Sequence, residues 1–290
     1  MVIFIILNFS IMNKKILVPT DFSDCANAAV TYAFHLAKKT ESELIFLHTM
    51  ITPVNWSKLT KEQELLFPDT KSKISEAKEN LKELIKKANA EGLTAKKLLI
   101  YSDGKERIEK FVESENANLV VMGSHGQYGF REHILGTNTY GMIRKAKVPV
   151  IIVKEANTKL DLDTLIISTN FKEESGPSFS DLERLAEFLK LKLKILFVNT
   201  PTYFMETNDI LKIGESFLST FSSYQHDIHI QDAFKEERGI IQFSEKVSAD
   251  AIAIITHGRS DLMQYFSPSI TENLITMSDL PIISIKIQNK

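Results

Sequence analysis

The sequence predicts an α/β fold made of two tandem doubly wound domains, each a five-stranded parallel sheet flanked by helices, Rossmann-like in plan. Three observations predict it. Short apolar runs of strand length alternate with helical periodicity from one end to the other. The order of those runs repeats in the second half of the chain. The length of 290 residues suits two domains of ordinary size.

Ile16-Leu17-Val18 reads as the first buried strand. Ser23 or Asp24 caps a helix whose apolar face carries Ala26, Ala29, Ala33, Phe34 and Ala37 at helical spacing. Leu44 to Leu47 form a second strand. A polar stretch with Pro53, Trp56 and Pro68 follows, and a long helix runs from about Asp69. Its core stripe is Ile74, Ala77, Leu81, Leu84, Ile85 and Ala88, and Gly92 stops it. Leu98 to Ile100 form strand three, Lys105 to Glu115 a helix, and Leu119 to Met122 strand four. A glycine-bearing loop leads to a helix over Thr137 to Lys145, and Val148 to Val153 form strand five.

The second half repeats this order. Thr164 to Ile167, Ile195 to Val198, Ala251 to Ile255 and Leu280 to Ile283 match strands one, two, four and five. Thr20-Asp21-Phe22 aligns with Thr169-Asn170-Phe171, and Phe46-Leu47-His48-Thr49 with Phe197-Val198-Asn199-Thr200. His125-Gly126 aligns with His257-Gly258, and Val148-Pro149 with Leu280-Pro281. Such self-similarity marks an internal duplication. Residues 13–155 and 162–290 are the expected domains. Residues 1–12 read as a start-site extension, with Met12 as the natural start. Their apolar run Met1 to Leu7 is far shorter than the roughly 20 residues of a membrane span.

Composition narrows the function. Hydrophobic residues at 43% and charged residues at 25% are those of a globular protein, not a disordered or multi-span one. One cysteine, Cys25, excludes an intramolecular disulfide and a Cys-rich zinc site, and suits a reducing cytoplasm. A net charge of −2 without a strongly basic stretch argues against nucleic acid, and no membrane association is expected. The seven histidines show no metal-ligand spacing; His226 and His229 come nearest to a pair.

Two segments follow strand ends, where open parallel sheets bind ligands. One is Pro19-Thr20-Asp21. The other is Gly123-Ser124-His125-Gly126, with Gly136-Thr137 nine residues further on at a helix start. Glycines let backbone N–H groups approach phosphate oxygens, Thr137 can cap the helix, and its N-terminus carries a positive dipole end. These features describe a phosphate cradle. Turn glycines and a capping carboxylate at Asp21 account for the same residues without a ligand. The spacing is not that of a Walker loop, because no Gly-Lys-Ser/Thr follows. Cys25 is read as a buried thiol rather than a reactive one at the helix start, and Ile51 to Phe67 as either a lid or a surface excursion.

Gly123-x2-Gly126-x9-Gly136-Thr137 resembles the nucleotide motif of the universal stress protein family, Gly-x2-Gly-x9-Gly-Ser/Thr. The opening Lys15 to Ser23 and Leu47-His48 resemble that family too, and the likeness spans both halves as a tandem member. The resemblance implies ATP as cofactor, with Mg2+ as a companion ion. It implies Asp21 by the nucleoside and metal, Pro19 and Thr20 in the same cofactor site, and Thr49 by the adenine. Met122, Gly123, Ser124, His125 and Gly126 would line the pocket, and Gly136, Thr137 and Asn138 would hold the phosphates.

In the second half Asp21 becomes Asn170, Gly123 becomes Ile255 and Gly136 becomes Pro268. Proline offers no N–H, and Ile255 is expected to fill the space Gly123 leaves open. ATP is therefore expected in the first domain only. The implied role is a stress-response switch or interaction module with an adenine nucleotide and an unidentified protein as partners. A slow ATPase or nucleotide-transferring enzyme, with Arg131 as its one candidate charge clamp, and a nucleotide-free scaffold are the alternatives. Pairing of the two fifth strands is expected to make an internal pseudo-dimer, with homodimerisation of whole chains left open.

Overall fold

A computed structural model describes residues 14–102, 104, 107–126, 135–154, 160–256 and 270–287. The expectations for residues 1–12, Arg131, His257-Gly258 and Pro268 lie outside the described residues.

The first half contributes β1 (Lys15–Pro19), α1 (Asp24–Thr40), β2 (Glu43–Ile51), α2 (Lys61–Glu64), α3 (Pro68–Ala90), β3 (Ala95–Ser102), α4 (Glu109–Ser114), β4 (Leu119–Gly123), α5 (Thr137–Lys145) and β5 (Val150–Val153). The second contributes β6 (Thr164–Ser168), α6 (Gly176–Leu189), β7 (Lys192–Asn199), α7 (Thr207–Phe221), β8 (Ile228–Asp232), α8 (Glu236–Lys246), β9 (Ala251–Thr256), α9 (Ile270–Met277) and β10 (Ile282–Lys286). They form one ten-stranded sheet in the order β3-β2-β1-β4-β5-β10-β9-β6-β7-β8. Strands are parallel within each half and antiparallel only where β10 meets β5, with Ile283 opposite Ile151. The expected pairing of the fifth strands is therefore present.

Central strands are apolar on both faces because helices cover both. One face packs Ile16, Val18, Phe46 and Val121 against α1, α3 and α6. The other packs Leu17, Leu47, Val120 and Ile152 against α5, α8 and α9. The stripes expected on α1 and α3 are buried, apart from half-buried Ile85. The helix expected over Lys105 to Glu115 shortens to Glu109–Ser114. His229 lies in β8, but His226 precedes it and instead binds Glu183, at 2.7 Å. Among the described residues no helix is long and apolar enough to cross a membrane.

The duplication is written into the backbone. Among the described residues, six that are not glycine adopt positive φ, and they fall into three matched pairs. Phe22 and Phe171 follow the first strand of each half, Glu41 and Lys190 end the first helix, and Asn116 and Ser248 precede the fourth strand. The turns agree in detail: Phe22 N donates to Thr20 Oγ1 at 3.0 Å, and Phe171 N to Thr169 Oγ1 at 3.1 Å. Left-handed backbone is costly for such side chains, so its recurrence at matched places reflects common architecture.

Strand register corrects one alignment. Leu47 stands opposite Pro19, and Leu196 opposite Ser168, while Thr20 N and Thr169 N donate to the Leu47 and Leu196 carbonyls. The counterpart of Leu47 is thus Leu196 rather than Val198, and Thr49 corresponds to Val198. A two-residue slip preserves the in–out alternation of a strand, so hydrophobic pattern alone does not detect it.

Candidate functional site

In the first half the strand order reverses direction between β1 and β4, which are hydrogen-bonded neighbours. The segments leaving their carboxyl ends, Pro19-Thr20-Asp21 and Gly123 to Gly126, diverge to opposite faces and leave a crevice there. The fold brings these two sequence-distant segments together.

Thr20 is held from two sides. Its N–H donates to Leu47, and its carbonyl accepts from His48 Nδ1 at 2.7 Å. The His48 ring lies 4.7 Å from that of Phe22. Asp21 Oδ1 accepts from Ser23 N at 3.1 Å and from Ser23 Oγ at 2.6 Å. Ser23 is the N-cap of α1 and its Oγ accepts from Ala26 N. One carboxylate oxygen thus serves the helix start, as the capping reading expects. The other, Oδ2, turns toward the glycine loop: a β-carbon on residue 126 would lie 2.2 Å from it. The two oxygens of Asp21 thus serve different segments, the start of α1 and the glycine loop.

Gly123 ends β4, and its requirement for glycine differs from the expected one. A β-carbon there would meet Cys25 Sγ at 2.8 Å and the Cys25 backbone at 3.0 Å. The glycine admits α1 against the sheet rather than leaving open space. Cys25 is fully buried, as expected; its thiol lies 3.5 Å from the Val153 carbonyl and 3.6 Å from Ser124 Oγ. Ser124 N donates to Val153, and Ser124 Oγ lies 3.0 Å from His125 Nδ1, so His125 is engaged in ordering the loop.

Gly136 returns to the same place. Its N–H donates to the Ser124 carbonyl at 2.9 Å, and Thr139 Oγ1 donates to the Gly123 carbonyl. Gly136, not Thr137, is the N-cap of α5, and among the described residues no side chain caps that helix. Thr137, expected as a cap, is instead the first helical residue, and it and Asn138 are exposed. Glycine as N-cap brings no side-chain acceptor of its own to the N-terminal amides of α5, and a helix start of that kind attracts anions. Met122 is buried on the face shared with Leu47, and alternation puts half-buried Thr49 on that face. Thr49 sits one strand outward, on β2.

Sequence reading did not assign site roles to Ser23, Cys25 or His48. Ser23 carried the signal of a cap. The other two act through contacts between distant segments, which leave no local trace.

In the second half Asn170 Oδ1 accepts from Lys172 N at 3.2 Å, where Asp21 accepts from Ser23. The crevice is not closed by Ile255. Ile255 lines a cavity of about 640 Å³ at the carboxyl ends of β6, β7 and β9. Ile255 packs instead against the core cluster that holds Phe179 and Leu182 of α6, a helix that begins at Gly176 after a 3-10 turn at Glu173–Ser175.

A sequence model described as the universal stress protein family matches residues 12–154. Among curated relatives, a universal stress protein of Methanocaldococcus jannaschii is 32% identical over 161 residues, covering 51% of this chain and 99% of the relative. A second from the same organism is 30% identical over 152 residues, covering 52% and 88%. The crystal structure of a universal stress protein from Archaeoglobus fulgidus covers 96% of this chain and 100% of its own, with a TM-score of 0.72 at 23% identity, and so supports the two-part fold.

Proposed function

The chain belongs to the universal stress protein family, and we propose that it binds ATP in the β1/β4 crevice and acts as a stress-response switch or interaction module. The observation that carries this reading is the meeting of three elements. Asp21 Oδ2 lies against Gly126, the Gly136 N–H ties the returning loop to Ser124, and α5 begins there with Gly136 as its N-cap.

In this reading the first domain, residues 13–155, holds the nucleotide. Pro19, Thr20 and Asp21 flank the nucleoside and a Mg2+ ion, and Thr49 and Met122 flank the adenine. The loop Gly123 to Gly126 and the start of α5, Gly136 to Asn138, face the phosphates. Backbone amides and a helix dipole supply the attraction. The rigidity of the cradle comes from the hydrogen bonds through Ser124, Thr139 and His48.

The second domain, residues 162–290, holds no ATP in this reading. Asn170 cannot supply the carboxylate that Asp21 offers in the first domain. A cytoplasmic setting and a protein partner complete the proposal. Mass spectrometry of nucleotide carried through purification, followed by calorimetry with ATP and Mg2+, tests it. One ATP per chain is expected; two equivalent sites, or none, would refute it.

A further inference from the structure

We propose that the crevice at the carboxyl ends of β6, β7 and β9 is a second small-molecule site, for a ligand with an apolar body and one anionic head, bound without a divalent cation. This inference is independent of ATP binding in the first crevice.

The cavity of about 640 Å³ lies within the size range of small-ligand pockets. Strand register shows how it departs from its counterpart. Thr49 is replaced by Val198 and Met122 by Ile254 on the face covered by α8 and α9, while Phe197 and Ile255, in place of His48 and Gly123, line the cavity from the other face, so apolar side chains meet it from both. Phe197 is held in place by stacking on Phe171, with centroids 5.8 Å apart and the planes 11° from parallel.

The charge changes at the same turn. Asp21 and Ser23 become Asn170 and Lys172, so a carboxylate disappears and an amine enters. Lys172 makes no ion pair among the described residues. A group that needed a metal bridge at Asp21 would here meet an amide and a cation directly.

The opposite wall gives direction. Lys172 leads into α6, which packs on one face of the sheet, whereas α5, α8 and α9 pack on the other. From that second face come Glu236 and Glu272, in the first turns of α8 and α9. The acidic part of the lining thus comes from the face away from α6, which leaves the Lys172 end for an anionic head. Arg144 also lines this wall, but its guanidinium donates to Tyr140 Oη at 2.6 Å and lies over that ring. Tyr140 and Arg144 belong to α5 of the first half, so both halves build the site.

The test uses the full chain, EDTA and the dye 1-anilinonaphthalene-8-sulfonate, which joins an apolar aromatic body to one sulfonate and brightens in apolar surroundings. One saturable site per chain is expected. Lys172 is exposed, so Lys172→Glu should fold normally and weaken the dye about tenfold, while Lys172→Arg retains it. N-phenyl-1-naphthylamine, the same body without the sulfonate, should bind equally to wild type and Lys172→Glu. Absence of saturable binding, unchanged affinity in Lys172→Glu, or displacement of the dye by ATP with Mg2+ would overturn the proposal.

Discussion

Asp21 and Gly126 are in such close contact that no β-carbon fits between them: the position it would take at residue 126 is 2.2 Å from Asp21 Oδ2. The carboxylate cannot simply swing away, because its other oxygen holds both the backbone and the hydroxyl of Ser23. Gly126→Ala should therefore displace Asp21 and loosen the cap of α1, at a cost of about 1 kcal/mol. ATP affinity should fall at least about tenfold. Chemical denaturation and calorimetry on the same variant check both, and unchanged affinity would detach Asp21 from the nucleotide.

Gly123 faces the protein's own helix, so substitution there acts first on folding. Gly123→Ala should lose about 1–3 kcal/mol by overpacking against Cys25. Cys25→Ala should recover only part of it, since the clash includes the Cys25 backbone at 3.0 Å. Urea unfolding of the single and double variants is the measurement, and full rescue would contradict the geometry.

Gly136→Pro separates binding from folding more cleanly. The residue has φ −62°, which proline adopts readily. What is lost is the N–H donated to Ser124, which ties the two ends of the cradle, and the added β-carbon meets His125 Cα at 3.2 Å within the same loop. The variant should stay folded by circular dichroism yet bind ATP at least about tenfold more weakly. Retained affinity would move the phosphates elsewhere.

Glu183 lies buried between α6 and the segment after α7. It accepts from Ser222 Oγ and Ser223 N and pairs with His226 Nε2. Burial alone pushes its carboxyl upward, but the hydrogen bonds from His226, Ser222 and Ser223 bring it below the ordinary glutamate range. A depressed folded value means that its stabilisation is full above the unfolded pKa, about 4.3, and fades as pH falls through the folded value. Wild type should exceed Glu183→Gln in urea midpoint at pH 7, and that lead should shrink on acidification below about pH 4. A lead that stays constant to pH 3 would disprove the linkage.

A chain ending at residue 155 should dimerise or aggregate. It would expose β5, whose Ile151 and Ile152 pair with β10 and are almost fully buried in the whole chain. Light scattering at rising concentration tests this. A strictly monomeric product would show that the edge is protected in another way.

Much of this protein was legible along the chain because its signals are local. Ser23 at a cap, the stripe from Ile74 to Ala88 and the apolar runs of the buried strands each declare themselves within a few residues. The duplication was equally open, since repeated order needs no knowledge of contacts. The glycine spacing marked the loop, and the family resemblance supplied its meaning.

Tertiary structure decided what depends on approach between distant segments. It gave Gly123 a partner in Cys25, gave Asp21 two oxygens with separate duties, and moved the cap of α5 from Thr137 to Gly136. It also set the register that pairs Thr49 with Val198 and left open a crevice that Ile255 was expected to fill. Hydrophobic periodicity determines which side of an element is buried. It does not determine the depth at which a helix meets a sheet, because that depth is fixed by single atoms, such as the β-carbon that glycine lacks, meeting across about a hundred residues of chain.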